Sequence, residues 1–421
     1  MQERHNDRPS DRPLDPAAAG PLVGIRVVEV GMLFAGPMST AFLADLGADV
    51  IKVEPPGGDE VRKVGHFKDG EGLWWRVTNR GKTVLAADLG TAEGADIVRR
   101  LVKTADVFVE NFRPGKLASW GLDYETLSRD NPGLVMLHFS GYGQAGPYRD
   151  RPGMGTLAEA FSGFAHTTGE EGGPPTLPSY PVADGIAALN GAFAVLAALV
   201  NRSTNGGLGD NIEISLYEPL LSMLGAMVID YDQLGFVSER HGNRSTWSAP
   251  RNTYRTRDDR WVALSAAANS AARRAFNAIG RPDLADDPEL ATNPQRLKRI
   301  DECDGAVADW VRERDQAEVL RVFEAAGVVA GPIYDVAQLF DDPHVKARET
   351  LVSLPDPALG TVRMQGVVPR FQRAPGRVRW PGKPAIGHDS RRVLLDCGYS
   401  EEQVESLIGR GIVKAPTHAA E

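Results

Sequence analysis

The chain has 421 residues, 42% hydrophobic and 24% charged, with 47 Lys plus Arg against 56 Asp plus Glu and a formal charge of −9. That is an ordinary globular composition, with enough chain for about three domains or two larger ones. The acidic balance excludes a chain dedicated to nucleic acid or an anionic membrane, but not a local basic pocket for a small anion.

Residues 1–20 (MQERHNDRPSDRPLDPAAAG) lack an apolar core and carry Glu3, Asp7, Asp11 and Asp15. They read as a disordered tail, not as a targeting segment. From Gly24 the text alternates between strand and helix. Ile25–Val30 reads as a strand, Gly36–Leu46 as a helix and Asp49–Glu54 as the next strand. Thr83–Leu89, the helical 92–104, Asp106–Phe112 and Leu134–Ser140 continue the scheme. Near-continuous apolar strands separated by helices predict a doubly wound parallel α/β sheet covered on both faces.

Ala183–Asn201 is expected as one long helix, followed by the strand Asn211–Ser215 and a helix over Leu216–Asp230. The apolar run Gly191–Val200 is about half of a bilayer span, so no membrane segment is expected. Asn252–Thr256 and Trp261–Ser265 flank a hairpin signal, and helices follow near Ala271–Ile279, Asp304–Arg312 and 316–326. A small α+β domain is placed at 240–345. A first large domain runs over 21–235, and 346–421 returns to complete it. Cys303 and Cys397 fit neither a disulfide framework nor a zinc site, and sparse thiols suit the cytoplasm. No His, Cys or carboxylate spacing suggests a metal.

The turn after the first strand, EVGMLFAGPMST, lacks the G-x-G-x-x-G spacing that brings a backbone close to a pyrophosphate, which disfavours a nicotinamide or flavin cofactor. Gly36-Pro37 still opens a helix whose free N–H groups suit an anion, or simply an ordinary βα turn. Asn111, Phe112 and Arg113 lie at a strand end, where open α/β sheets bind ligands, and read equally as a capped turn. Asp184 stands at the start of the long helix. There the helix dipole is expected to favour its ionised, nucleophilic form, and an N-cap is the plainer reading.

The motifs PLVGIRVVEVGMLFAGPMSTAFLADLGADVIKVEPPGGD, NRGKTVLAADL, ADVFVENFRPG, FSGYGQAGPY, AFSGF, PVADGIAALNGAFAVLAAL and GDNIEISLYE occur in this order. From about Pro21 to Val413 the chain thereby resembles the family III CoA-transferases, which include formyl-CoA transferase and carnitine CoA-transferase and are related to alpha-methylacyl-CoA racemase. The resemblance implies CoA transfer from an acyl-CoA thioester, with succinyl-CoA one candidate, to a carboxylic acid. It makes Asp184 the nucleophile and a mixed anhydride the intermediate. It implies CoA contacts at Phe34, Ala35, Ala87, Asn111, Phe112 and Arg113, no permanently bound cofactor, and an interlocked homodimer. Pro55 and Ser119 stand where family arginines occur, and HGNRSTWSAPRN replaces a glycine-rich loop. An acyl-CoA racemase or isomerase and a non-catalytic CoA-binding protein are the alternatives. The racemase's His-Asp pair aligns with Met154 and Gly155, neither of which moves a proton.

Overall fold

A computed structural model describes residues 19–417. The expected tail therefore lies outside the described residues except for Ala19 and Gly20. The chain divides into two compact units. Among the described residues, the first comprises 19–162, Pro178–Gly225 and 347–417; the second comprises Gly163–Leu177 and Ala226–Lys346.

The first unit begins with β1 (Arg26–Glu29), α1 (Ala35–Asp45), β2 (Asp49–Glu54), β3 (Thr83–Ala87), α2 (Ala92–Val102), β4 (Val107–Glu110) and β5 (Val135–Ser140). It continues with α3 (Gly155–Phe161), α4 (Val182–Arg202), β6 (Asp210–Ser215) and α5 (Tyr217–Ser222). The second unit carries α6 (Met227–Leu234), β7 (Arg251–Arg255), β8 (Trp261–Ser265), α7 (Asn269–Ala278), α8 (Ile300–Arg312), α9 (Gln316–Ala325) and β9 (Ala330–Pro332). The return segment supplies the hairpin β10 (Leu351–Asp356) and β11 (Gly360–Gln365), then α10 (Ser390–Asp396), α11 (Glu401–Gly409) and β12 (Val413–Lys414).

The main sheet has the order β12-β3-β2-β1-β4-β5-β6. β1 to β6 run parallel, and β12 closes one edge antiparallel to β3 through Val413 and Ala87. On one face, Val28, Ile51, Leu85, Phe108 and Met136 pack with Ile97, Val98 and Leu101 of α2 and with Val393, Leu394, Val404 and Leu407 of the return segment. The other face is covered by α1 and α4, which pack on each other. α4 lies so close to β5 that a Cβ at Gly191 would meet Phe139 Cζ at 2.4 Å. In the second unit, β7 and β8 pair antiparallel, β9 adds to β8, and Phe276, Val307, Val311 and Phe323 fill the core.

Three expectations need correction. The helix read over 216–230 breaks between Ser222 and Met227, where Gly225 takes φ +68°, which a continuing helix does not accommodate. The second unit begins at that break, near 226 rather than 240. It also captures 163–177, because Gly242 N–H donates to the Gly169 carbonyl at 2.8 Å and Arg240 donates to the carbonyls of His166 and Gly173. The long helix is found as expected, over Val182–Arg202 against the expected Ala183–Asn201. Val182–Arg202 is long and apolar enough to cross a membrane by length and composition alone. Its packing against α1 and the sheet is that of a crossover helix in a covered parallel sheet.

Candidate active site

The chain moves outward from β1 to β2 and β3, then returns to the other side of β1 as β4. The strand direction of travel therefore reverses between β1 and β4, and the crevice beyond their carboxyl ends is where such sheets bind ligands. Two loops meet there, Val30–Phe34 after β1 and Asn111–Arg113 after β4. Asn111 locks them together. Its Oδ1 accepts the Met32 N–H at 2.7 Å and its Nδ2 donates to the Met32 carbonyl at 2.6 Å. Leu33 takes φ +62°, which costs a side-chain-bearing residue about 1–2 kcal/mol. Its N–H is held by Asp59 Oδ1 at 3.1 Å.

Beneath the turn lies a fully buried, charge-balanced quartet. Glu29 accepts from Lys52 at 2.9 Å and from Lys82 at 2.7 Å, and Lys52 also donates to Asp59 at 2.7 Å. Lys52 donates to the Gly31 carbonyl, and Lys82 to that of Pro37, so the ion pairs carry the turn and the first turn of α1. Burial alone would lower the Lys52 ammonium, but Asp59 and Glu29 push it up to about 12. Burial dominates at Lys82, bringing it down to about 8. Above this base, the N–H groups of Ala35 and Gly36 have no acceptor among the described residues, and Phe34, the N-cap, supplies no side-chain cap.

The six expected CoA contacts are not equivalent. Phe34 packs edge-on against Trp74 at 5.0 Å, and Ala35 is buried as the first residue of α1. Ala87 is buried at the end of β3, paired in the sheet with Val413 of β12 and two strands away from β1. The Asn111 amide is spent on Met32, so its role is to shape the turn. Phe112 packs edge-on against Trp120 at 5.2 Å and against the main core, so its ring is already occupied. Arg113 is exposed and forms no ion pair among the described residues.

Asp184 reaches the same region from α4, whose Gly185 backbone lies against Met38 of α1. The N-cap of α4 is Pro181, so Asp184 is the third helical residue and not the cap. The capping role falls to Glu159 of α3, whose Oε1 accepts the N–H groups of Val182 at 3.1 Å and Ala183 at 3.2 Å. The Asp184 carboxyl fits against Gly155, where an added Cβ would lie 2.0 Å from Oδ2. The backbone N–H of Asp184 itself favours the ionised form, as expected of a helix start, but two larger effects outweigh it. Burial first and the Glu159 charge second push Asp184 up to about 6. A carboxylate of that basicity is a better nucleophile than an ordinary one and is still mostly ionised at neutral pH.

Sequence reasoning missed Glu159, Asp59 and the two buried lysines. The signal available for Glu159 was its four-residue spacing from Gly155 on a short helix ahead of Asp184. Among the described residues no cluster of His, Cys, Asp and Glu could hold a metal ion.

A family model described as CoA-transferase family III matches residues 22–390. The chain is 40% identical over 396 residues to a succinyl-CoA–D-citramalate CoA-transferase of Chloroflexus aurantiacus, covering 93% of this chain and 98% of that one. It is 37% identical over 385 residues to a succinate–glutarate CoA-transferase of Agrobacterium fabrum, covering 89% and 95%. The crystal structure of a CAIB/BAIF family protein from Brucella suis superposes with a TM-score of 0.80 at 31% identity, covering 90% of this chain and 100% of that one.

Proposed function

The chain belongs to CoA-transferase family III, and from that premise we propose that Asp184 is the nucleophile through which it moves CoA from an acyl-CoA thioester to a carboxylic acid. The observation that carries this reading is the Asp184 carboxyl itself, seated against Gly155, unpaired with any cation among the described residues and raised to about 6.

The steps balance without a proton or redox partner. An Asp184 oxygen attacks the thioester carbonyl, the C–S bond breaks, and CoA leaves as a thiolate, giving an acyl-aspartyl anhydride. The thiolate attacks the Asp184 carbonyl and expels the donor acid, so CoA becomes a thioester on Asp184. The acceptor carboxylate attacks that thioester and releases the thiolate again. Thiolate attack on the acceptor carbonyl of the second anhydride yields the new acyl-CoA and restores the Asp184 carboxylate. Each intermediate keeps its acyl-transfer potential only if water is excluded. The free N–H groups of Ala35 and Gly36 are suited to a phosphate or oxyanion of CoA, and exposed Arg113 to a second phosphate.

The names of the relatives favour succinyl-CoA as donor and a small dicarboxylate as acceptor. We place the reaction in the cytoplasm, since a chain with only two cysteines, Cys303 and Cys397, suits a reducing compartment. We also propose pairing with a second copy. α4 exposes Leu189, Phe193 and Val200 along one stripe, apolar surface that a homodimer would bury. Light scattering should give a dimer; a stable monomer would contradict this.

The racemase alternative is disfavoured because the positions of its His-Asp pair hold Met154 and Gly155, which move no proton, and the neighbouring Glu159 is bound to the N–H groups of Val182 and Ala183. The test is a mass-spectrometric screen of CoA donors against acid acceptors. Wild type should form the acceptor's CoA ester only when an acid acceptor is added, and Asp184→Asn should not form it while still binding CoA esters. Deuterium uptake at the α-carbon without an acceptor would favour the racemase. Binding without turnover on every acceptor would favour a non-catalytic CoA-binding protein.

A further inference from the structure

We propose that Glu159 is a positioning residue for CoA transfer, which fixes the start of α4 and keeps the Asp184 carboxylate strongly nucleophilic. This rests on the reading of Asp184 as nucleophile. Glu159 is 3% exposed and forms no ion pair among the described residues. Its charge is met instead by the N-terminus of α4, where one oxygen accepts the N–H groups of Val182 and Ala183.

That arrangement does two things to Asp184. It occupies the N–H groups of Val182 and Ala183, so of the first-turn donors that make a carboxylate less basic, Asp184 keeps its own. It also sets a second negative charge beside Asp184. Gly155 and Glu159 are four residues apart on α3 and so share the face that meets α4. One leaves the space for the Asp184 carboxyl, and the other supplies the charge.

The remaining elements around α4 offer no competing group. On α1 the ionisable residue is Asp45, paired with Arg80 at 2.6 Å. On β5 it is His138, bonded to Glu110 at 2.6 Å and Asn211 at 2.8 Å. β6 carries Asp210 and Glu213, with Glu213 accepting the Gln144 N–H at 2.7 Å. On α5, Glu218 accepts from Ser215 at 2.6 Å and from the Tyr217 hydroxyl at 3.5 Å. On α4 itself, Arg202 pairs with Asp106 at 2.8 Å at the far end. Glu159 is the charged neighbour that acts on Asp184.

The test is the pH profile of kcat/KM for Glu159→Gln, Glu159→Asp and Asp184→Asn beside wild type. Gln keeps an oxygen for both N–H groups and removes only the charge. Its acid limb should move down by about half a pH unit or more, with a lower plateau from the weaker base. Glu159→Asp keeps the charge and should leave the limb near the wild-type position. A Gln limb superimposable on wild type, or equal displacement in both variants, overturns the proposal and reduces Glu159 to a structural cap. Near-normal turnover by Asp184→Asn instead removes the nucleophile reading on which the proposal rests. An inactive Asp184→Asn with an unmoved Gln limb removes the Glu159 proposal alone.

Discussion

The carboxyl of Asp184 occupies the space that a side chain at Gly155 would fill, since a Cβ there would fall 2.0 Å from Oδ2. The contact joins the starts of two helices, α3 and α4. It gives the absence of a side chain at 155 a mechanical purpose. Gly155→Ala should fold, because a helix position accepts alanine readily. It should push the carboxyl aside and lower kcat by about a hundredfold, the scale expected for misplacement near 1 Å. Steady-state kinetics beside a thermal melt checks this; unchanged kcat would mean that the carboxyl has room to move.

Asp184 also carries a cost in stability. Its pKa rises from an ordinary 3.8 to about 6 in the folded chain. Between those values the folded state holds a proton that the unfolded state has lost, so stability falls as pH rises through the window. Asp184→Asn should therefore be more stable than wild type at pH 7, by about 1–2 kcal/mol once partial exposure to solvent is allowed for. The gain should vanish at about pH 4 and below. Urea denaturation at the two pH values measures it.

Asn111 holds Met32 by both its backbone groups. Asn111→Ala should cost about 1–3 kcal/mol through the unpaired N–H and carbonyl, and should raise KM for the CoA ester more than it lowers kcat. Equilibrium unfolding and kinetics together distinguish this from an Asn111 that touches substrate directly.

The buried quartet under the turn sets a stronger prediction. Lys52→Met leaves Glu29 and Asp59 buried with one cation fewer and should cost about 3–5 kcal/mol. Arg26 pairs with Asp49 at 2.9 Å, but the Asp49 side chain is 47% exposed. Arg26→Met should accordingly cost only about 0–1 kcal/mol from that pair. Similar losses for the two variants in urea would contradict the assignment of the quartet as the support of the site.

The sheet was legible because its strands are covered on both faces, so Val27–Val30, Val50–Val53 and Val107–Val109 appear as near-continuous apolar runs, interrupted only by the buried ionic residues Glu29 and Lys52. The parallel pairing of β1 to β6 followed from alternating strands and helices, whereas their order came only with the fold. The break near Gly225 was not legible, because the residues on both sides are good helix formers. Asp184 stood out through a motif resemblance, not through its local text, which reads as an ordinary helix start. Its actual cap, Glu159, lies 23 residues upstream of Val182, and a pairing at that distance is visible only once the chain has folded. Asn111 was singled out by its position at a strand end, and in the fold its partner is Met32 of the opposite loop. The net charge of −9 was no guide to an anionic substrate, because the cations that matter are local.

The most direct test follows the oxygen atoms. In the proposed steps the donor acid departs with an Asp184 oxygen, and the acceptor carboxylate leaves one of its own oxygens on Asp184. An acceptor labelled with heavy oxygen in its carboxylate should therefore deliver label to the peptide containing Asp184 during turnover, and from there to the released donor acid. Mass spectrometry of the digested enzyme should find the label on Asp184 and on no other carboxylate. Turnover that leaves Asp184 unlabelled would contradict the aspartyl anhydride account.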